Sequence, residues 1–483
     1  MVSAILVGDP AARSGMVPFT ADQRTTPERY CRIGRGFTEN QAGVTGRGEM
    51  HLTVHRPYGL AHRAGRQGGR TAACLTLVIL AAIQPARAED WPAWRGPRGN
   101  GHSADSGFPL RWSASENVRW KKELPGPGNS TPIVTGQRVF VTCASDQGHR
   151  RSLICLDRAT GQVLWERHVP CENPEPTHES NPHCSSSPVT DGQRVVAWHG
   201  SAGIVAYDLD GTELWRKDVG RFEHVWGTGS SPVLYQDAVI VNCGPGLQSF
   251  VVALDKRTGD ELWRRTFPEM TSARIDEYRG SWSTPVIDKV NERDLLFLSL
   301  PLWLYAVDPL TGVDVWRSGG LGKLVYTSPL TSPETVVAMS GYEGPVIAVD
   351  PRGAGDITTS HRRWIHDQKN PQRVGSGVIV GPYMYVLNEP GIAWCVELAT
   401  GEILWKQRLG KVASWNSVCL AEGRLYVANQ AGTTYVVKPD PSECTVLAEN
   451  DLGEPMNASL AFSEGQVFAR TFQHVYCIQN PAP

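Results

Sequence analysis

The 483-residue chain has no run of about 20 apolar residues, the length a membrane-crossing helix requires, so no transmembrane span is expected. It has no basic surplus where a nucleic-acid partner would need one. Residues 1–88 hold 11 Arg, no Lys and 5 acidic residues, and the rest holds 36 basic against 44 acidic side chains, a formal −8. A mildly acidic body argues against nucleic acid. C-x-x-C-H is absent, which excludes covalent haem attachment. G-x-S-x-G and H-E-x-x-H are absent, which removes the commonest hydrolase signatures. The 11 Cys form no adjacent pair, and the nine beyond residue 88 are an odd number, so they cannot all pair within the chain.

What is present is a repeat. Asp255-Lys-Arg-Thr-Gly259-Asp-Glu-Leu-Trp263 recurs as Asp157…Gly161…Trp165, Asp308…Gly312…Trp316 and Glu397…Gly401…Trp405, with Asp208…Gly211…Trp215 one residue shorter. In all five, Gly precedes Trp by four residues. An apolar run such as Val252-Ala-Leu-Asp255 leads into four of them and reads as a period-two strand. Asp caps a tight turn, Gly supplies positive φ, and the chain returns in a strand carrying Trp. One hairpin cannot bury that Trp, but a neighbouring copy can.

A second series falls between the copies. Thr131-Pro132, Ser187-Pro188, Ser231-Pro232, Thr284-Pro285 and Ser328-Pro329 each open a short strand, and Ser376, Asn416 and Asn457 open degenerate ones. Eight starts, roughly 40 to 55 residues apart, match four-stranded propeller blades. The expectation is an all-β, eight-bladed propeller of antiparallel blades over residues 118–483. Blade five carries an expanded turn, Pro351 to Arg363, and blade seven has lost its Trp. Blade eight is one strand short, and Val118-Arg-Trp120-Lys supplies the missing outer strand and closes the ring.

The front of the chain divides into three. Residues 1–70 read as disordered or untranslated, ending in a basic segment with four Arg from His51 to Arg70. Residues 71–88 read as a secretory hydrophobic region and cleavage site, Ala86-Arg87-Ala88. A leader is short, so Met50 or a later non-Met start is the expected initiator. No Cys follows the apolar run, so no lipid anchor is expected. Residues 89–117, rich in Gly and Pro, read as an irregular clasp packed through Trp91 and Trp94. Export would place Cys143/Cys155 and Cys171/Cys184 where disulfides form; each pair is either bridged or simply buried thiols.

The A-x-D-x-x-T-G-x-x-x-W unit resembles the repeat of the pyrroloquinoline-quinone (PQQ) propeller family over residues 118–478. That family includes the quinoprotein alcohol dehydrogenases and the outer-membrane assembly factor BamB. Trp91-Pro-Ala-Trp-Arg-Gly-Pro resembles the opening of exported PQQ-repeat proteins of planctomycete-type bacteria. The resemblance implies the fold and an envelope location, periplasmic or exported. For catalysis it would imply PQQ held between a Trp face and a disulfide of adjacent cysteines, with calcium on Glu and Asn and an Asp base. The adjacent cysteines are missing, and no residue set matches the ligand motif, so no cofactor is expected. The expected role is a non-catalytic, monomeric scaffold binding envelope proteins, peptide or carbohydrate on one face. A PQQ- and calcium-dependent dehydrogenase of alcohols or sugars is the alternative, and a hydrolase or lyase on the same ring has no motif behind it.

Residues at the blade entrances are the binding candidates: His183, His224, Trp226, Arg279, Trp282, Tyr326, Arg373 and Trp415. Aromatics beside Arg and His suit a carbohydrate, a peptide or an acidic group. The same residue types also serve inter-blade packing. His178-Glu-Ser-Asn-Pro-His183-Cys184 is the densest run of metal-ligand types and reads equally as a polar loop. If the leader reading is right, N-terminal sequencing of secreted protein finds Glu89 first. A mature end far from Glu89, or retention in the cytoplasm, contradicts it.

Overall fold

The computed structural model describes residues 89–270, 279–367 and 371–481. The expected leader and the segment before it lie outside the described residues. Among those described, no helix is long and apolar enough to cross a membrane.

Eight four-stranded antiparallel sheets follow one another as blades of a ring. Blade one is Ile133–Thr135, Arg138–Ser145, Arg150–Asp157 and Val163–Pro170. Blades two to seven repeat the pattern, each a meander running from a short inner strand to an outer one. Blade eight takes Ala461–Ser463, Gln466–Arg470 and His474–Gln479 from the C-terminal end, and its outer strand, Val118–Glu123, from the start of the ring. Trp120 pairs with Cys477 and Lys121 with Tyr476, so the strand expected to close the ring does so.

Two features go beyond the sequence reading. The runs leading into each Asp are not half-buried. Arg150–Asp157 and Phe250–Asp255 are buried at nearly every position, because a middle strand is covered by blades on both sides. True alternation appears only in outer strands such as Val118–Glu123. The expanded turn of blade five is also used structurally: Gly355–Asp356 pairs in parallel with the outer strand of blade four.

The core consists of layers between blades, and the Trp residues tie these layers together. The Trp120 indole N–H donates to the Arg158 carbonyl of the next blade (2.8 Å). Trp165 does the same to Leu209, Trp215 to Lys256, Trp263 to Pro309, Trp316 to Pro351, Trp364 to Leu398 and Trp405 to Asp440, at 2.8–3.1 Å. Five of these rings also lie on the motif Gly of the next blade. A Cβ on Gly161, Gly211, Gly259, Gly312 or Gly401 would sit 2.6–2.8 Å from the ring of Trp120, Trp165, Trp215, Trp263 or Trp364. The Asp carboxylate secures the turn as expected, with Thr160 N–H and Oγ on Asp157 Oδ1 at 2.8 and 2.7 Å.

The eighth interface is different. Ala448 stands in blade seven where the other outer strands place Trp, since it pairs with Val436 as Trp165 pairs with Cys155. Its target would be a turn in blade eight, but there the third and fourth strands come from opposite ends of the ring. The clasp fills this seam. Trp112 stacks on Tyr426 (6.2 Å, 13°), the counterpart of Phe140 under Trp165. The Trp112 backbone N–H donates to Asn450 Oδ1 (2.9 Å), and Phe108 meets Phe462 edge-on. One buried cluster joins Trp91, Phe108 and Trp112 to blades seven, eight and one.

The cysteines pack as apolar groups, and all nine described are free. Cys143 and Cys155 belong to core layers on opposite faces of blade one, which excludes a bridge between them. Cys171 and Cys184 are likewise unbridged.

Trp120→Ala and Trp112→Ala should each cost about 3–5 kcal/mol, as for a large buried aromatic. Leu310→Ala, at a half-exposed turn position, should stay within about 0.5 kcal/mol. Urea unfolding measures all three. The closing strand also carries a pH-dependent contact. Glu454 accepts from Lys121 Nζ (2.6 Å), Thr471 Oγ (2.6 Å) and Tyr476 Oη (2.8 Å), and its other partner is His474. Burial raises its carboxyl, but these hydrogen bonds outweigh that and bring it from 4.5 down to about 2. A lowered folded-state pKa stabilises above the unfolded value and is lost as pH falls. Stability should therefore drop from about pH 4.5 toward pH 2, and Glu454→Gln should flatten that part of the profile.

Candidate functional site

The blade starts meet at the axis because each begins with Ser, Thr or a short equivalent. Their side chains form a belt. Thr131 N–H donates to Ser187 Oγ (2.9 Å), Ser187 N–H to Ser231 Oγ (3.0 Å) and Ser231 N–H to Thr284 Oγ (2.9 Å). It resumes from Ser328 to Ser376, Ser417 and Ser459, and returns from Ser459 N–H to Thr131 Oγ (3.2 Å). The start signal of each blade is thus also its attachment to its neighbour.

Above this belt the axis widens into a cavity of about 780 Å³. Every blade entrance contributes to its wall, from Asn129 and Thr131 of blade one to Asn457 and Ser459 of blade eight. Trp226, Trp282, Tyr326 and Trp415 give it aromatic faces, and Tyr342 stands at 58% exposure. Asn129, Asn181, Gln372, Gln430 and Asn457 give it amides. Among the described residues Glu389 is its one carboxylate, and no Lys or Arg belongs to the wall.

The rings are pinned by their polar edges. Trp282 Nε1 donates to the Gly227 carbonyl (2.8 Å), and Trp415 Nε1 to Glu389 Oε1 (3.0 Å). Trp282 meets Tyr326 edge-on at 5.2 Å. The His178 ring lies 4.3 Å from that of Trp226. The amides hold one another: Gln430 Nε2 donates to Asn457 Oδ1 (2.9 Å), and Asn457 Nδ2 to the Ser180 carbonyl (2.9 Å). Burial, then the charge of Glu389, holds the Tyr326 phenol well above its usual range, so it remains a neutral donor.

Trp94 enters from the other face. The clasp pairs Trp91 with Val134 of blade one and accepts Thr190 N–H of blade two on Pro92. It then sends the buried Arg95 guanidinium to the Ser376 and Gly377 carbonyls (3.3 and 2.5 Å). Between these anchors the chain crosses the ring, and Trp94 lines the cavity from below.

Of the eight sequence candidates, Trp226, Trp282, Tyr326 and Trp415 line the cavity. His183, His224, Arg279 and Arg373 do not. The His183 Nε2 lies 2.9 Å from the Glu175 carbonyl, beside the buried Arg151–Glu175 ion pair. Burial, then Arg151, lowers its pKa. His224 is buried behind the wall, edge-on to Trp282 and accepting Trp226 N–H (3.2 Å). Arg373 is buried with its guanidinium over Trp394 (5.4 Å), and burial lowers its pKa to about 10. Arg279 is half-buried outside the wall. His178 and His183 diverge, and no group of three His, Cys, Asp or Glu among the described residues could hold a metal.

The wall residues missing from the sequence candidates include Trp94, Asn129, His178, Asn181, Gln372, Tyr342, Glu389 and Gln430. The last three lie on or beside the connection between second and third strands, which reaches the same face as the blade entrance. Counting both loops of each blade would have found them.

The family profile described as outer membrane protein assembly factor BamB matches residues 112–300, 302–439 and 389–480. The chain is 25% identical over 210 residues to a polyvinylalcohol dehydrogenase of Pseudomonas sp, covering 38% of this chain and 31% of that protein. It is 24% identical over 232 residues to that of Sphingopyxis sp. (strain 113P3), covering 42% and 34%. The match thus spans about a third of these relatives' length. BamB from Moraxella catarrhalis superposes with a TM-score of 0.55 at 13% identity, over 75% of this chain and 97% of that one. A europium-containing methanol dehydrogenase superposes at 0.56 and 12% identity, over 79% and 89%. These likenesses show a shared fold, and with the profile matching most of its length, the chain belongs to the BamB-type family of PQQ-repeat propellers.

Proposed function

We propose that this protein is an exported, non-catalytic binding scaffold of the cell envelope, with its axial cavity as the ligand site. The chemistry of the cavity wall carries this reading. It joins pinned aromatic rings and linked amides with a single carboxylate, Glu389, already engaged by Trp415. Such a wall suits binding and orienting a ligand: among the described residues its titratable groups are Glu389, His178, Tyr326 and Tyr342, of which Glu389 is held by Trp415 and the Tyr326 phenol is kept neutral. The basic and apolar run ending at Ala88 supports export.

Its relatives' names favour a second reading, a dehydrogenase. The residues present do not fit the PQQ and calcium that such an enzyme would need. The cofactor's three carboxylates would meet no Lys or Arg among the described residues of the wall. Calcium takes six to eight oxygens, usually including several carboxylates, and the wall supplies one. The adjacent cysteines that would cover the cofactor are missing.

Purified protein incubated with PQQ and calcium should show neither the absorption of a bound quinone nor dye reduction with alcohols. Stoichiometric binding at micromolar concentration would overturn the scaffold reading in favour of the enzyme.

A further inference from the structure

The wall chemistry narrows the ligand class beyond binding in general. Among the described residues an anionic ligand finds no Lys or Arg on the wall and meets Glu389. A purely apolar ligand would strip water from five amides and from the belt hydroxyls without replacing their hydrogen bonds, which is costly. An organic cation would use the rings and Glu389, yet leave the amides idle. A ligand with apolar faces and a rim of uncharged hydroxyls satisfies every part of the wall.

We infer that the cavity takes the end of a neutral oligosaccharide, its ring faces against Trp282, Trp415 and Trp94 and its hydroxyls on the Asn and Gln amides. This deepens the scaffold proposal and rests on it. The site is preformed in ways that suit a polyhydroxylated guest. Both upper indoles have their N–H groups committed to protein acceptors, which fixes the ring planes. Gln430, Asn457 and Asn129 are oriented by hydrogen bonds among themselves and to the Ser180 carbonyl. Asn129 Oδ1 is buried with no protein partner. A volume of about 780 Å³ admits several sugar rings and lies within the usual range for ligand sites. The floor made by Trp94 makes the site blind, so it suits a chain end rather than a chain threaded through the ring.

The test is calorimetric titration of the full mature chain with neutral hexasaccharides (gluco-, manno-, xylo- and chito-series), oligogalacturonate, choline and a mixed tripeptide pool, with dye reduction followed in parallel. We expect at least one neutral oligosaccharide to bind saturably, oligogalacturonate and choline not to bind, and no dye to be reduced. Trp282→Ala and Tyr342→Ala should each weaken that binding about tenfold or more. Tyr342 is exposed, so its variant folds even if the Trp282 variant does not. If no neutral oligosaccharide binds up to about 10 mM, tenfold above a Kd of about 1 mM, the sugar assignment fails, and binding of tripeptides or choline would then leave the scaffold reading standing. Sugar binding unchanged in both variants overturns the site. Sugar binding with dye reduction keeps the ligand and overturns the scaffold reading.

Discussion

The ring depends on one contact made over and over: an indole of one blade laid against the turn of the next. Trp is suited to it because it has a large apolar face and one N–H at its edge. The face covers the neighbour's glycine, and the N–H takes a turn carbonyl that would otherwise be buried without a partner. The glycine meets two demands at once. Gly259 has φ +76°, and a Cβ there would also strike the Trp215 ring at 2.7 Å. A residue tolerated by the turn alone would still push the blades apart. The motif is therefore a property of the interface between blades, although each half of it lies within a single hairpin.

This explains why the seventh blade has no Trp. A Trp there would have to dock on a turn that blade eight does not possess, because its two outermost strands come from distant parts of the chain. The clasp supplies an indole from elsewhere, and Trp112 takes the place on Tyr426 that blade-borne Trp residues take on Phe140 and Tyr385. Ring closure is thus done twice, by the strand carrying Trp120 and by the segment before it. That same segment begins at Trp91 on blade one and crosses beneath the axis at Trp94. Stability of the seam and shape of the cavity floor are set by one stretch of about 25 residues.

The fold was legible in the sequence because its main interaction is encoded at fixed short spacing. Gly-x-x-x-Trp marks both partners of the contact, and Ser or Thr before Pro marks the belt. The candidate cavity was only half legible. Trp226, Trp282, Tyr326 and Trp415 were found because blade entrances must converge on the axis. Tyr342, Glu389 and Gln430 were not, because their loops follow no start signal. Arg373 and His183 lie outside the wall for an electrostatic reason. Charge near a cavity mouth suggests contact with solvent or ligand, but a guanidinium can be buried flat on an indole, as Arg373 is on Trp394. An imidazole can likewise end on a backbone carbonyl, as His183 does. Neither outcome has a signature in local sequence.

The belt links fold to site at the level of single hydrogen bonds. A hydroxyl can accept and donate. In seven links around the axis the oxygen is used to accept a backbone N–H from the adjoining blade. The acceptor role is spent on assembly, while the hydroxyl hydrogen is left to turn toward the axis. Thr131, Ser231, Thr284, Ser417 and Ser459 of this belt line the cavity. Its neck is therefore a ring of small donors that cost the fold nothing extra, since they are already needed to join the blades. Beside them the amides both donate and accept, and the indoles of Trp282 and Trp415 stand at the same place in their blades as Asn129 and Asn457 do in theirs. A propeller assembled through start-site hydroxyls presents a polar, uncharged neck for structural reasons alone, and the choice of residues around it then decides what enters.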